Sequence, residues 1–330
     1  MAIVGTCRRA IEGLGLSVVL PESGDPRVLQ AARILSAAKL ARPILLGEPA
    51  EVDALARAAG LGPMDFDVRD PATDPALERL AAGVVDARPT LSAKAAQRLL
   101  TKPLYFAGAL VAAGLADTFV AGAANPTKRV IEAGLMTIGL APGIEIPSSY
   151  FVMLAPAIGA KPARSVIFAD CAVNADPTAR ELADIAIASA DSAQLLGEPV
   201  RVALLSFSTK GSAQHARVEK VRAALADVRG RRPDLAIDGE LQGDAALSLV
   251  VAQKKLAEVG AVAGQANVLI FPDLDSGNIA YKLVQELGGV QALGPFLQGF
   301  RRPISDLSRG ATVDDIVATV VITLARSLKL

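Results

Sequence analysis

The stretch Ser17-Val18-Val19-Leu20-Pro21-Glu22-Ser23-Gly24-Asp25-Pro26 joins a short apolar run to the start of a helix. The apolar run is typical of a buried strand, and the proline and glycine after it mark a turn. Asp25 followed by Pro26 has the pattern of a helix N-cap with proline at the first helical position. The stretch therefore predicts a strand–turn–helix unit.

The same alternation of strand and helix recurs along the whole chain. Further strands are predicted at Pro43–Gly47, Asp117–Gly122, Phe151–Leu154, Ser165–Phe168, Val202–Phe207 and Val268–Phe271. Helical patterns lie between them, and the last runs from Thr312 to Leu324. This spacing predicts an α/β fold with a largely parallel sheet and helices on both faces.

The charge balance argues against a nucleic-acid or membrane partner. Lys plus Arg and Asp plus Glu both number 34 in the 330 residues, and no run rich in Lys or Arg stands out. Nucleic-acid binding needs such a basic stripe. The longest apolar stretch, Leu104–Ala116, is shorter than the roughly 20 residues that span a bilayer. The N-terminus lacks the apolar core of a signal peptide, so we expect a cytoplasmic protein.

Cysteine and histidine are too few for several kinds of site. Cys7 and Cys171 are the only cysteines and His215 is the only histidine. These numbers exclude a structural zinc site, an iron–sulfur cluster and a disulfide framework, so no metal is expected. Histidine-based acid–base chemistry would depend on His215 alone, and we expect a surface or core role for that residue.

Two polar segments follow predicted strands. Ser206–Ser212 offers hydroxyls, the ammonium of Lys210 and a glycine, and Phe271–Asn278 opens a helix. Ligands of open α/β sheets bind beyond the carboxyl ends of strands, which favours both segments as binding loops. An ordinary strand-to-helix turn is the alternative interpretation of Ser206–Ser212.

A third segment, Pro303–Asp315, places a hydroxyl and a guanidinium before the last helix. Thr312 and Asp315 have the spacing of a capping box, which explains them without any catalytic role. Arg309, however, stands near a helix N-terminus, where its charge opposes the helix dipole. An arginine in that place indicates that an anion binds between it and the helix.

Several strings together resemble the phosphate acetyltransferase family, and they cover essentially the whole chain. They are VVLPESGDPRV (Val18–Val28), PILLG (Pro43–Gly47), LSFSTKGSA (Leu205–Ala213), DGELQGDAAL (Asp238–Leu247), FPDLDSGNIAYKL (Phe271–Leu283) and GPFLQGFRRPISDLSRG (Gly294–Gly310). The resemblance implies reversible acyl transfer between coenzyme A and phosphate, from acetyl-CoA and phosphate to CoA and acetyl phosphate. It implies no tightly bound cofactor, because CoA is a substrate.

The resemblance also implies a two-domain, three-layer αβα fold similar to that of isocitrate and isopropylmalate dehydrogenases. Both chain ends would form one domain, residues 1–142 plus 296–330, and residues 143–295 the other, with the active cleft between them. Family members are usually homodimers. The partners we expect are therefore small-molecule substrates and a second copy of the chain.

Carried over residue by residue, Ser308 and Arg309 match the family's Ser-Arg pair, and Asp315 matches its catalytic aspartate. The aspartate takes the proton of the CoA thiol, the arginine binds the phosphate, and the serine orients the thiol or the acetyl group. Residues expected to bind the acyl phosphate or CoA are Arg88, Asn125, Thr127, Arg129, Ser206, Lys210 and Asn278.

The sequence departs from the family at Glu132, where the family usually carries an arginine that binds CoA or the acyl phosphate. Arg129, one turn earlier, could take over that role. Alternatively, Glu132 pairs with Lys128 on a solvated helix face. A second family arginine has Arg88 as its nearest counterpart.

Three other functions compete with acetyl transfer. The closest is butyryl or propionyl transfer to phosphate. A catalytically weak acyl-CoA-sensing module is a second, since related domains appended to malic enzymes resemble the family and serve regulation. A decarboxylating NAD(P)-dependent dehydrogenase would need metal-binding aspartates and a tyrosine–lysine pair, which the sequence does not assemble.

Overall fold

A computed structural model describes residues 2–62, 66–157, 162–194, 197 and 199–328. The chain divides into two compact units. We call Val4–Gly143 with Phe300–Leu330 the terminal unit, and Met1–Ile3 with Ile144–Gly299 the central unit. Each unit is a group of residues in mutual contact. The domain boundaries expected from the sequence, residues 1–142 plus 296–330 and residues 143–295, stay a prediction.

The terminal unit is built on parallel strands. These are β1 (Ser17–Leu20), β2 (Arg42–Leu46), β3 (Asp67–Arg69), β4 (Thr118–Ala121) and β11 (Ile304–Asp306), in the sheet order β3-β2-β1-β4-β11. Its helices are α1 (Ala2–Ile11), α2 (Pro26–Ala37), α3 (Pro49–Ala58), α4 (Leu77–Ala87), α5 (Ala93–Leu100), α6 (Pro103–Ala112), α7 (Thr127–Thr137) and α13 (Val313–Ser327). Because β1, β4 and β11 are parallel neighbours, their carboxyl ends lie at the same edge of the sheet.

The central unit has a mixed sheet. Its strands are β5 (Ser148–Ala155), β6 (Arg164–Ala169), β7 (Val202–Leu205), β8 (Ile237–Leu241), β9 (Val268–Ile270) and β10 (Gln291–Gln298), in the order β10-β5-β6-β9-β7-β8. Its helices are α8 (Ala179–Ala193), α9 (Ala216–Arg231), α10 (Gly243–Leu247), α11 (Leu249–Lys255) and α12 (Leu274–Gly288).

The α/β class and the largely parallel pairing are confirmed, with one exception. β5 runs antiparallel to both β6 and β10. Ala155 at the end of β5 pairs with Arg164 at the start of β6. So short a connection cannot hold the helical crossover that parallel strands need, and the two strands therefore form a hairpin.

Apolar strands and helix faces form the core of each unit. Every residue of β1 and β4 is buried, and Leu29 and Leu35 of α2 are fully buried. In the central unit, Phe151, Phe168 and Phe271 belong to one buried cluster. Burying a side chain of this size contributes about 1.5–3 kcal/mol to the free energy of folding. The buried side chains therefore hold in place the strands whose ends carry the polar loops. Among the described helices, none is both long and apolar enough to cross a membrane.

Helix α2 begins as the sequence predicts. The carboxylate of Asp25 accepts a hydrogen bond from the backbone N–H of Arg27 at 2.9 Å, and Pro26 occupies the first helical position. The N-cap satisfies a backbone donor that the helix itself cannot pair. Helix α2 therefore starts directly after the turn that follows β1.

Candidate active site

A buried carboxylate organises the loop that follows β4. Glu22 is 7% exposed, and its Oε2 accepts hydrogen bonds from the backbone N–H groups of Gly122 and Ala123, both at 2.8 Å. Its Oε1 accepts from the N–H groups of Ala124 at 3.1 Å and Asn125 at 2.9 Å. Consecutive N–H groups before a helix make an anion site, and here the chain's own carboxylate occupies it. The loop is thereby fixed to the end of β1.

Gly122 lets this loop approach the strand beside it. Its φ is +116°, and a Cβ at this position would lie 2.2 Å from Oδ1 of Asp306 and 2.5 Å from the backbone nitrogen of Leu307. Any side chain would therefore collide with the end of β11. Only glycine allows this contact between the loop after β4 and the loop after β11.

Arg27 joins the helix after β1 to the loop after β11. Its guanidinium pairs with the Asp25 carboxylate at 2.6 Å, and its Nη1 donates to the backbone oxygens of Arg309 at 2.9 Å and Ala311 at 2.7 Å. Its Nη2 also donates to the backbone oxygen of Ala123 at 3.3 Å. One side chain thus holds three loops at the same edge of the sheet.

Ser308 and Arg309 lie on this loop with their side chains exposed. The Ser308 hydroxyl oxygen accepts a hydrogen bond from the N–H of Gly310 at 3.3 Å, and the N–H of Ala311 donates to the Ser308 backbone oxygen at 2.9 Å. These bonds form a tight turn whose backbone is held by Arg27. A hydroxyl and a guanidinium on such a turn can reach a ligand in solvent.

Asp315 forms the capping box that its spacing predicts. Its Oδ2 accepts from the backbone N–H of Thr312 at 3.0 Å and from the Thr312 hydroxyl at 2.8 Å. The Asp315 N–H donates to the Thr312 hydroxyl oxygen at 3.2 Å. The capping role is therefore present in the structure. The role of Asp315 as a proton acceptor, which the family resemblance implies, stays a prediction.

A cavity of about 590 Å³ lies within the terminal unit between the turn after β1, the loop after β4 and the start of α6, and Ser308, Arg309 and Asp315 do not line it. Its lining includes the cations Lys102 and Arg129, the acids Glu22 and Asp25, the amide of Asn125 and the ring of Tyr105. Among the described residues, Lys102 forms no ion pair with an acid. The cavity therefore combines two cations and two carboxylates with apolar surface, and the Lys102 ammonium is the cation left to contact an anion that has an organic part.

The structure gives Glu132 a partner other than Lys128. Nη1 of Arg129 lies 3.3 Å from Oε2 of Glu132, and the Arg129 side chain is 62% exposed. On this exposed helix face Arg129, and not Lys128, is the residue that pairs with Glu132 among the described ion pairs. An exposed ion pair of this kind contributes little stability, and an anionic ligand can compete for the guanidinium.

Asn125 and Thr127 have partners within the terminal unit. The Asn125 side-chain amide donates to Oε1 of Glu22 at 2.8 Å, and Asn125 lines the cavity. The Thr127 hydroxyl donates to Oδ2 of Asp306. Both residues therefore hold the loop after β4 in place, and their contact with a substrate stays a prediction.

Arg88 lies apart from this cavity. Its guanidinium donates to the backbone oxygen of Leu135, and it lines a separate cavity of about 510 Å³ with Thr90, Met136 and Leu140. The structure therefore does not bring Arg88 and Arg129 to one cavity. The assignment of Arg88 to substrate binding stays a prediction without support from these contacts.

In the central unit, the carboxyl ends of β7 and β9 bring two predicted segments together. Ser206, Asp273 and Ser276 line a cavity of about 470 Å³, with Phe207 and Ile279 at its apolar side. Phe207 is 56% exposed and Ile279 is 55% exposed. The segments Ser206–Gly211 and Asp273–Asn278 therefore meet within this unit, as neighbouring strand ends predict.

Lys210 and Asn278 are bonded to the protein itself. The Lys210 ammonium pairs with Asp238 and donates to the backbone oxygen of Gly239 at 2.9 Å. The Asn278 amide donates to the backbone oxygen of Cys171 at 3.0 Å. These bonds hold the loops after β7 and at the start of α12, and a role in binding CoA stays a prediction.

A buried glutamate also organises the loop after β7. Glu240 is 2% exposed, and it accepts hydrogen bonds from the Ser208 hydroxyl, the Gly211 N–H and the guanidinium of Arg222. Burial alone would raise the pKa of Glu240, but the bonds from Arg222, Gly211 and Ser208 outweigh it and lower the pKa to about 2. Glu240 therefore stays ionised and keeps the Ser206 turn ordered.

Five residues that hold these loops or line these cavities were not predicted from the sequence as functional candidates. They are Glu22, Arg27, Lys102, Glu240 and Asp306. Glu22 and Arg27 lie in the quoted string Val18–Val28, so the motif itself was the signal for both. Lys102 immediately precedes Pro103 at the start of α6, where it is the N-cap residue. Within the described ranges, no group of three His, Cys, Asp or Glu side chains could hold a metal ion.

Comparison with known proteins gives a consistent result. The sequence profile described as "Phosphate acetyl/butaryl transferase" matches residues 3–324. A curated phosphate acetyltransferase of Paracoccus denitrificans is 44% identical over 95% of this chain and 96% of its own length. One of Pseudomonas aeruginosa is 44% identical over 94% of this chain, which spans only 43% of that longer relative. A phosphotransacetylase structure from Streptococcus pyogenes is 40% identical, with a TM-score of 0.94 and coverage of 100% of this chain and 99% of that one.

Proposed function

Since the chain belongs to the phosphate acetyl/butaryl transferase family and is an acyltransferase, we propose that it interconverts acetyl-CoA and phosphate with CoA and acetyl phosphate by thiolate attack. The observation that carries this proposal is the turn of Ser308 and Arg309. This turn is exposed to solvent and held by Arg27, and the carboxylate of Asp315 follows it in the first turn of α13. Serine, arginine and aspartate are the residues that the family resemblance assigns to the reaction.

In the direction of acetyl-CoA synthesis, Asp315 accepts the proton of the CoA thiol. A thiol with a pKa of roughly 8.5 is mostly protonated at neutral pH, so a positioned base accelerates the attack. The sulfur then bonds to the carbonyl carbon of acetyl phosphate while the bond from that carbon to the phosphate oxygen breaks. The phosphate leaves with the electron pair of that bond.

Arg309 binds the phosphate group and balances the negative charge that develops on it. A planar guanidinium can bind two phosphate oxygens at once, which the point charge of lysine cannot do. Ser308 orients the thiol or the acetyl group by hydrogen bonding. Both side chains are exposed on a backbone that Arg27 holds, so the turn that carries them is ordered before the substrate arrives.

Arg129 and Lys102 supply further positive charge for CoA or the acyl phosphate. Both line the cavity of the terminal unit, and Arg129 replaces the arginine that the family carries at the position of Glu132. Substrate phosphate would exchange with the Glu132 carboxylate as the partner of Arg129. The remaining proposed binding residues are Arg88, Asn125, Thr127, Ser206, Lys210 and Asn278.

Assembly, location and acyl length complete the proposal. We expect a cytoplasmic homodimer that needs CoA only as a substrate. Acetyl transfer is favoured because the similar curated proteins are phosphate acetyltransferases. Butyryl or propionyl transfer is the second candidate, since the matching family profile covers both acetyl and butyryl enzymes.

The test is to mix CoA with acetyl, propionyl or butyryl phosphate and to follow the thioester absorbance. The proposal predicts thioester with all three and the highest kcat/KM with acetyl phosphate. A higher kcat/KM with butyryl phosphate would move the assignment to the second candidate. No thioester with any acyl phosphate would contradict catalysis and support the sensing module.

A further inference from the structure

A buried carboxyl that the proposed reaction does not use lies two residues before Ser308. Asp306 ends β11 and is 0% exposed. Its Oδ2 accepts the hydroxyl of Thr127 at the start of α7, whereas its Oδ1 makes no hydrogen bond with any described residue. Gly122 packs directly against that oxygen. A buried oxygen without a partner costs stability when it is charged, which makes a neutral, protonated form accessible.

The charges around Asp306 also belong to the candidate active site. Burial, the largest influence, raises the pKa of Asp306 to about 7, and the hydrogen bond from Thr127 and the adjacent N–H of Leu307 lower it in part. The negative charge of Glu22 raises this pKa further, and the positive charge of Arg309 lowers it. Burial therefore favours the neutral acid at Asp306 far more than it would at a solvent-exposed aspartate.

Other elements packed nearby add few groups that could titrate against it. The loop of residues 121–127 carries no titratable side chain. The first turn of α13 contributes Asp315, which bonds to Thr312, and the exposed Asp314. Arg27 of α2 contacts the backbone oxygens of Ala123 and Arg309, and its charge is balanced by the Asp25 carboxylate. On α7, Lys128 and Arg129 follow Thr127, and Arg129 pairs with Glu132. Glu22 and Arg309 are the charges that shift the pKa of Asp306, and Arg309 is the one that a substrate anion would contact.

Building on the proposed function, we propose that Asp306 is a positioning residue that takes up one proton when a dianionic phosphate group binds at Arg309. The anion cancels the positive field of Arg309, while burial and the charge of Glu22 remain. The carboxylate then gains a proton from solvent and becomes a neutral acid. It still accepts the Thr127 hydroxyl, so α7 and the Arg309 turn stay joined while the site holds the dianion.

Linkage gives the sign of the effect. Because binding raises the affinity of Asp306 for a proton, protonation must raise the affinity for the anion by the same factor. Affinity for the dianion therefore falls as pH rises through about 7. If binding raises the pKa of Asp306 by about one unit, the loss reaches about tenfold between roughly pH 6 and pH 9.

The experiment measures sulfate binding to the full chain by isothermal titration calorimetry. Sulfate stays a dianion over this pH range, so its own protonation does not contribute. Buffers with different ionisation enthalpies report the protons taken up. We expect net proton uptake near pH 7 and a Kd for sulfate that rises about tenfold from pH 6 to pH 9. Asp306→Asn, which is neutral at every pH, should remove both the uptake and most of the pH dependence.

Two further variants keep the test decisive if Asp306→Asn does not fold. Thr127→Val removes a hydrogen bond that favours the ionised form, so the pH dependence should move to higher pH. Asp117→Asn is the matched control, because Asp117 bonds to Ser17 at the opposite edge of the same sheet. Asp117→Asn should bind sulfate with the proton uptake and the pH dependence of the wild type.

Three results would overturn the proposal: no sulfate binding, binding without proton uptake in the wild type, or a folded Asp306→Asn variant with the wild-type pH slope. The measurement needs no turnover. A protein that forms no thioester but takes up a proton with sulfate would therefore refute the proposed function and support the role of Asp306.

Discussion

The guanidinium of Arg27 donates a hydrogen bond to the backbone oxygen of Arg309 at 2.9 Å, although the two residues are 282 positions apart. The same nitrogen donates to the oxygen of Ala311 at 2.7 Å. Arg27 thus holds both sides of Gly310, the residue after the proposed phosphate-binding arginine. The geometry of the proposed catalytic turn depends on a side chain from the helix that follows β1.

Arg27→Lys should lower kcat/KM about 10- to 100-fold. A lysine keeps the charge, but its single ammonium cannot span Asp25, Ala123 and the carbonyls at 309 and 311. Losing one charge-assisted hydrogen bond costs about 1.5–3 kcal/mol. If that loss displaces the Arg309 turn, the same free energy corresponds to the stated fall in kcat/KM. Steady-state kinetics with acetyl phosphate and CoA measure the kcat/KM of this variant and of the wild type.

Arg42→Lys is the control for Arg27→Lys, because Arg42 donates to a single backbone oxygen, that of Gly15, at the other edge of the same sheet. Its kcat/KM should match the wild type. A loss of equal size in both variants would show that Arg27 acts only on the stability of the unit.

Arg129→Ala should raise KM for acyl phosphate or CoA by roughly 10- to 150-fold, which is the value of one lost charge-assisted bond to phosphate. Lys128→Ala removes the same charge from the neighbouring position and should change KM little. Initial rates over a range of each substrate separate the two variants. Small and equal changes would mean that Arg129 pairs with Glu132 on a solvated face and binds no substrate.

Arg309→Lys should lower kcat/KM by more than about tenfold, because a point charge cannot reproduce a two-point contact with phosphate. Arg301→Lys is a suitable comparison, since Arg301 is also exposed in the terminal unit and donates to the backbone oxygen of Leu140 at 3.0 Å. Its kinetics should be unchanged. Wild-type kinetics for Arg309→Lys would exclude two-point phosphate binding.

Glu240 should make stability depend on acid pH. Its pKa in the folded protein is about 2, below the usual 4.5, so its contribution is complete above about pH 4.5 and is lost as pH falls through about 2. The stability advantage of wild type over Glu240→Gln should therefore shrink from pH 5 to pH 2. Urea unfolding at several pH values measures it.

Glu145→Gln serves as the comparison for Glu240→Gln, because Glu145 forms an exposed ion pair with Arg180. The difference in the free energy of unfolding between Glu145→Gln and the wild type should be small and should vary far less with pH. A constant difference between wild type and Glu240→Gln over the same range would contradict the role of Glu240 as an ionised anchor.

Local patterns were sufficient to predict much of the fold. The apolar run at Ser17–Leu20 and the Asp25–Pro26 cap are confirmed at their predicted positions. The capping box of Thr312 and Asp315 is confirmed as well. Each depends on residues a few positions apart, which is the range over which caps and strand patterns act.

Contacts between distant residues could not be predicted in this way. Glu22 bonds to a loop 100 residues later, and Thr127 bonds to Asp306 over 179 positions. Strand β8 was also missed, because its sequence IDGEL contains polar residues and glycine. Its Glu240 is buried and pairs with Arg222 of α9. Such pairings arise from the order of strands in the sheet, which no local pattern specifies.

The kcat of the Asp315→Asn variant measures how much of the proton transfer depends on the Asp315 carboxylate. The amide can still cap α13, so the loss of stability should not exceed about 1 kcal/mol. As the general base, however, Asp315 supplies the proton acceptor, and kcat should fall about 10²- to 10⁴-fold. Asp314→Asn, which changes the neighbouring exposed acid of the same turn, should keep the wild-type kcat. A folded Asp315→Asn enzyme with near-normal kcat would contradict the account and leave helix capping as the role of this residue.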